Sequence, residues 1–136
     1  MKMKTMFAVV LSVLAPVVLA GLVVEVPVTI DMDQMAASGN MKSARFSAND
    51  QEQIGCGTRS NDFGGNTYEY AFCQARLDDT TNAFCSTDNP ELVKQIRNIN
   101  DYSYVTFRWD ADGICRSLGF STQSQYIPEY RDKKAK

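Results

Sequence analysis

The chain has 136 residues, with 14 basic and 16 acidic side chains, a formal net charge of −2 and no histidine. That length sets the expectation of a single domain. The mild acidity argues against a phosphate-backbone binder, whose affinity comes mostly from cationic neutralisation. The missing imidazole removes Ser-His-Asp and Cys-His nucleophile systems and most zinc hydrolases.

Residues 1–20 carry the pattern of a secretory signal peptide. Lys2 and Lys4 form a basic start, an uncharged run "MFAVVLSVLAPVVLA" follows, and the small Val18 and Ala20 occupy the −3 and −1 positions of a cleavage site after Ala20. The run is short for a bilayer span and no basic stop-transfer cluster follows it. Residues 21–136 are therefore expected as one secreted or periplasmic domain, without a membrane span. Removing Lys2 and Lys4 leaves 12 basic against 16 acidic residues, a net charge near −4.

Residues 21–40 read as an N-terminal edge strand and a link. Val24, Val26, Val28 and Ile30 alternate with Glu25, Pro27, Thr29 and Asp31, which gives one apolar face. Pro27 cannot donate to a ladder, so an edge position is favoured. "MAASGN" (35–40) has the composition of a turn or mobile link, "MKSARFS" that of a short strand, and a further strand is expected near Gln53 to Thr58.

"FGGN" (63–66) is a turn, because two glycines supply positive φ without steric cost. After it Tyr68, Tyr70 and Phe72 alternate with Glu69, Ala71 and Cys73, and the small Ala71, Cys73 and Ala75 are expected to face inward. "LDDTTN" is the next turn and "AFCS" a short strand. "TDNPELVKQIRNIND" predicts one short helix near residues 90–98. Asn89 or Asp88 can cap it, Pro90 suits its first turn, and Leu92, Val93, Ile96 and Ile99 share a face.

"YSYVTFRW" predicts the strongest strand, with Val105, Phe107 and Trp109 on one face and Tyr102, Tyr104, Thr106 and Arg108 on the other. "ICRSLGFST" predicts its partner, with Ile114, Leu118 and Phe120 on one side. "DADG" (110–113) lies between them. Asp110 and Asp112 are weak metal candidates, because an EF-hand loop needs oxygens at further alternate positions and a bidentate acid after the glycine. Here Arg108 stands two before Asp110 and no acid occurs between Gly113 and Phe120, so a hairpin turn is the expected reading. Residues 129–136 form a polar tail.

Cys56, Cys73, Cys85 and Cys115 are even in number and lie after an export signal, so two disulfides are expected. The preferred pairing is Cys56–Cys73 with Cys85–Cys115, each joining neighbouring strands. The fold expected from all this is mainly β, an antiparallel sandwich or small barrel stapled by disulfides, with one short α-helix. Its core should include Leu92, Ile96, Val105, Phe107, Trp109, Ile114, Leu118 and Phe120.

A small carboxylate-dependent hydrolase is a further alternative, for which Asp78–Asp79, Asp110–Asp112 and Glu69 are available, but all sit in turns or on an outer face, where acids are usually solvated. The expected function is non-catalytic binding of an extracellular or periplasmic protein or glycan, without a cofactor. Tyr68, Tyr70, Tyr102, Tyr104 and Arg108 are the candidate surface, since Tyr and Arg dominate interface hot spots. The alternative is a self-assembling subunit that donates its N-terminal strand, so an oligomer is also anticipated.

Overall fold

The structure is a computed structural model and describes residues 21–128; the expected leader (1–20) and polar tail (129–136) lie outside the described residues. In chain order the elements are β1 (Thr29–Asp31), β2 (Ala36–Asn40), α1 (Met41–Arg45), β3 (Gln53–Phe63), β4 (Asn66–Arg76), β5 (Asn82–Thr87), α2 (Pro90–Ile96), β6 (Tyr104–Trp109) and β7 (Cys115–Ser121), with a 3-10 turn at Ser124–Tyr126. They make two antiparallel sheets, one ordered β1-β2-β6-β7 and the other β3-β4-β5. The two disulfides are Cys56–Cys73 and Cys85–Cys115. The first ties two neighbouring strands of one sheet. The second ties the two sheets together, beside a parallel bridge between Ser86 and Ile114.

Each sheet has one buried face, and the two faces supply one core. In the three-stranded sheet the register sets Ile54 beside Ala75 and Ala83, Cys56 beside Cys73 and Cys85, and Thr58 beside Ala71 and Thr87. Apart from Ile54, these rows are small side chains. The bulk comes from elsewhere: Val105, Phe107 and Leu118 of the other sheet, and Val93 and Ile96 of α2. Burial of each such large side chain contributes roughly 1.5–3 kcal/mol. The helix forms where expected. Asn89 accepts the Glu91 and Leu92 amides, Pro90 occupies the first turn, and Gln95 Nε2 donates to the Leu118 carbonyl at 3.1 Å, which docks α2 on β7.

Four local expectations change. The N-terminal alternation is a strand only at Thr29–Asp31, at the sheet's edge. Residues 24–28 keep the alternating burial without forming a ladder, held by the Asn40 N–H to the Val26 carbonyl at 2.9 Å, by Val26 N–H to Ser43 Oγ at 2.9 Å and by Val24 N–H to the Gln125 carbonyl at 3.1 Å. "MAASGN" is not a link: Ala36–Asn40 is an inner strand between β1 and β6. Its small residues serve close approach. A Cβ on Gly39 would stand 2.9 Å from Val28 Cα, so a larger residue there would push the N-terminal segment off the sheet. "MKSARFS" forms the helix α1 instead of a strand, so the chain has two α-helices among the described residues. Lys42, Ser43 and Ala44 are buried in succession, which no strand alternation allows, and Asn40 Oδ1 accepts the Ser43 amide as the helix cap.

The fourth change concerns β7. Val105, Phe107 and Leu118 are buried as expected, with Trp109 packed against them, while Phe120 is half-buried. A bulge falls where Arg108 pairs with Ser117 but Trp109 pairs with Cys115. It puts Cys115 on the core side, and Ile114 lies before the strand, on the bridge to Ser86.

Candidate functional site

The β3–β4 hairpin is the longest element, with eleven residues in each strand and an unbroken register from Gln53↔Arg76 to Phe63↔Asn66. Gly64 and Gly65 close it at φ 65° and 93°, the positive pair that a two-residue hairpin loop needs. Only its lower half is packed. Residues 59–68 are exposed on both faces of the ladder, because β5 pairs with β4 no further than Ala71. The distal half is a two-stranded ribbon projecting from the body. Such a ribbon is marginal alone, and here it is anchored by the sheet below and by Cys56–Cys73.

The three-stranded sheet distributes its residues inside out. Small residues line its buried face, and the aromatic ones are on the outer face. Phe63 is 69% exposed, Phe84 57% and Tyr68 49%, with Tyr70 and Phe72 half-buried on the same side. The rings are organised. Tyr68 and Tyr70 stack with centroids 6.0 Å apart, and Phe72 and Phe84 stack at 6.1 Å. Phe72 lies over Gly57, where a Cβ would meet the ring at 3.0 Å, and the Arg59 guanidinium sits 4.8 Å from the Phe72 centroid. Arg59, Phe72 and Phe84 thus form one continuous layer.

The predicted surface residues do not form one face. Tyr68 and Tyr70 belong to the outer face of β4. Tyr104 and Arg108 belong to β6 in the other sheet. Tyr102 precedes β6 in a turn, at φ 62°. Tyr104 stacks on Tyr126 at 6.1 Å, and Arg108 donates to the Gln34 carbonyl at 3.4 Å, so both pack on their own chain. Arg59, Phe63 and Phe84 join the face unanticipated. The alternation of Tyr68, Tyr70 and Phe72 was visible in the chain, but adding the others needs the cross-strand register.

The acids are engaged in structure. Asp110 Oδ1 accepts the Ile114 and Asp112 amides at 3.0 Å, Oδ2 takes the Arg116 guanidinium, and Gly113 sits at φ 74° in the β6–β7 turn. The Ile114 amide first, then Arg116, lowers the Asp110 pKa. The Arg97 guanidinium, which donates to Glu69, lowers that carboxyl. Asp79 pairs with Arg76. Asp78 takes the Thr80 hydroxyl and the Thr80 and Thr81 amides, which bring it from 3.8 to about 2. Glu69, Asp78 and Asp110, held toward the anion, are poor proton donors at neutral pH. Among the described residues no group of three or more Cys, Asp or Glu gathers to hold a metal ion.

A depressed carboxyl stabilises the fold above its unfolded pKa, and that contribution disappears as pH falls through the folded value. Asp78→Ala should therefore be less stable than the parent at pH 6, with the difference shrinking between about pH 4 and pH 2. Urea midpoints across that range read it; a gap independent of pH would assign the loss to something other than the carboxylate.

These features define a class: a small disulfide-bonded β domain of two sheets, one carrying an exposed aromatic layer and a projecting hairpin. Among the described residues no helix is long and apolar enough to cross a membrane. The chain matches no protein-family model, no curated protein and no solved structure.

Proposed function

We propose that the protein is a non-catalytic protein-binding module that works outside the cytoplasm, with the outer face of β3-β4-β5 and its projecting hairpin as the contact surface. The inside-out sheet carries this reading. An aromatic residue on a strand is ordinarily worth more in the core, and a contiguous exposed group of them marks an interaction site. Tyr, Phe and Arg are the residues enriched at protein interfaces and their hot spots. A protein partner suits the layer better than a sugar ring, because Arg59 already lies against Phe72. Two disulfides and the basic, then apolar, sequence of residues 1–20 support an oxidising compartment.

A photo-crosslinking residue placed at Phe84 or Tyr68 should capture a partner protein in the producing cell's exported fraction, while the same probe at Tyr104 should not. Phe63→Ser, Tyr68→Ser and Phe84→Ser should abolish capture by an unmodified neighbouring probe and leave the protein folded, each costing no more than the loss of one stacked pair, about 0.5–1.5 kcal/mol. Equal capture from Tyr104, or unfolding of the serine variants, would return the rings to an architectural role.

A further inference from the structure

At the end of β3 away from the hairpin tip, a cavity of about 610 Å³ opens between α1, the Asp50–Gln53 segment and the turn at Asp101–Tyr102. That volume is in the range of small-molecule sites. Its apolar part is Met41, Ala44 and Ile54, and Tyr102 lines it beside them. One buried side chain holds two of its walls. Asn40, fully enclosed, caps α1 through the Ser43 amide and donates Nδ2 to the Tyr102 carbonyl at 3.1 Å. Asn40 thus ties α1 to the Asp101–Tyr102 turn beside the cavity.

The charges around it select the ligand. Arg76 is matched by Asp79 and also donates to the Asp78 carbonyl. The other charged lining groups are Asp50, Glu52 and Asp101 against Arg45, an anionic balance above an apolar floor. A hard metal ion needs several oxygens converging, and among the described residues no such group exists. A cation with an apolar stem suits this lining: the stem covers Met41, Ala44 and Ile54, and the charged head needs only one carboxylate, Asp50 or Asp101, beside the Tyr102 ring. We propose that this cavity binds a small primary organic ammonium with an apolar stem. The site is separate from the aromatic face, so either can fail alone.

Amide-resolved NMR titration of the purified, disulfide-bonded protein tests it, with n-butylammonium, n-butanol and n-butyrate as probes. Butylammonium should give saturable shifts centred on Ala44, Gln53, Ile54 and Tyr102, at least tenfold tighter than butanol or butyrate. The double variant Asp50→Asn/Asp101→Asn should bind it at least tenfold more weakly. Tyr102→Gly removes the ring at a positive φ that glycine adopts freely, and should bind at least tenfold more weakly while its amide spectrum stays that of the folded protein. Butyrate binding as tightly, scattered unsaturable shifts, or unchanged affinity in the Asp50/Asp101 variant would overturn the proposal.

Discussion

Replacing Cys85 and Cys115 together by alanine should cost about 3.5 kcal/mol of stability and lower the melting temperature by roughly 15–25 °C. The bridge spans 30 residues of sequence and joins β5 to β7, the place where the two sheets meet. Without it the unfolded chain regains its loop freedom, while the folded chain keeps there the Ser86–Ile114 bridge and the Ser86 amide bond to the Gly113 carbonyl. Cys56–Cys73 closes a shorter loop of 17 residues between strands already paired on both sides of it, so its removal should cost less. Urea unfolding of the two double variants gives the comparison. A loss below about 1 kcal/mol for Cys85/Cys115 would mean that the core alone holds the sheets in register.

Asn40→Ala should cost about 3 kcal/mol, a large effect for a residue far from any chemistry. Asn40 is fully buried at the junction of β2 and α1. Its oxygen satisfies the Ser43 amide, its nitrogen satisfies the Tyr102 carbonyl, and truncation leaves both without that partner. Stranding a buried polar group costs about 1–3 kcal/mol. Asn40→Asp keeps the acceptor but loses the donor and buries a charge, so it should fare no better. Hydrogen exchange offers a local check: the Ser43 amide should lose protection in Asn40→Ala and keep it in Tyr102→Gly. An alanine variant as stable as the parent would show that water replaces the side chain at both ends.

Where the chain carries its own punctuation, the elements could be read directly. Asn89 and Pro90 mark the start of α2, Gly64 and Gly65 the hairpin, and Asp110 with Gly113 the β6–β7 turn. The inward run of Ala71, Cys73 and Ala75 was likewise visible, while the cysteine pairing was a preference among three, and Cys85–Cys115 joins the two sheets instead of neighbouring strands. Residues 35–47 misled for a physical reason. Ala, Ser and Gly have low intrinsic strand preference, and "MKSARFS" has no strong period. Their states are chosen by Val28 packing closely on Gly39 and by Asn40 capping α1. The bulge at Arg116 is silent in sequence, and it puts Cys115 on the same core side as Leu118.

Local sequence was enough for the β-rich class, the disulfide framework, the helix at Pro90 and the aromatic side of β4, because caps, paired glycines and period-two patterns are short-range physics. Which aromatics share a face was a matter for the assembled sheets. Tyr68 and Tyr70 are joined by Arg59, Phe63, Phe72 and Phe84 through cross-strand register, while Tyr104 and Arg108 fall on the other sheet. Tertiary packing alone also brings Asn40, Tyr102 and Asp101 together to frame a cavity with Asp50 and Glu52. The glycine turn fixes the β3–β4 register locally, but the placing of β5 beside β4 and of β6 in the other sheet depends on contacts between segments far apart in the chain.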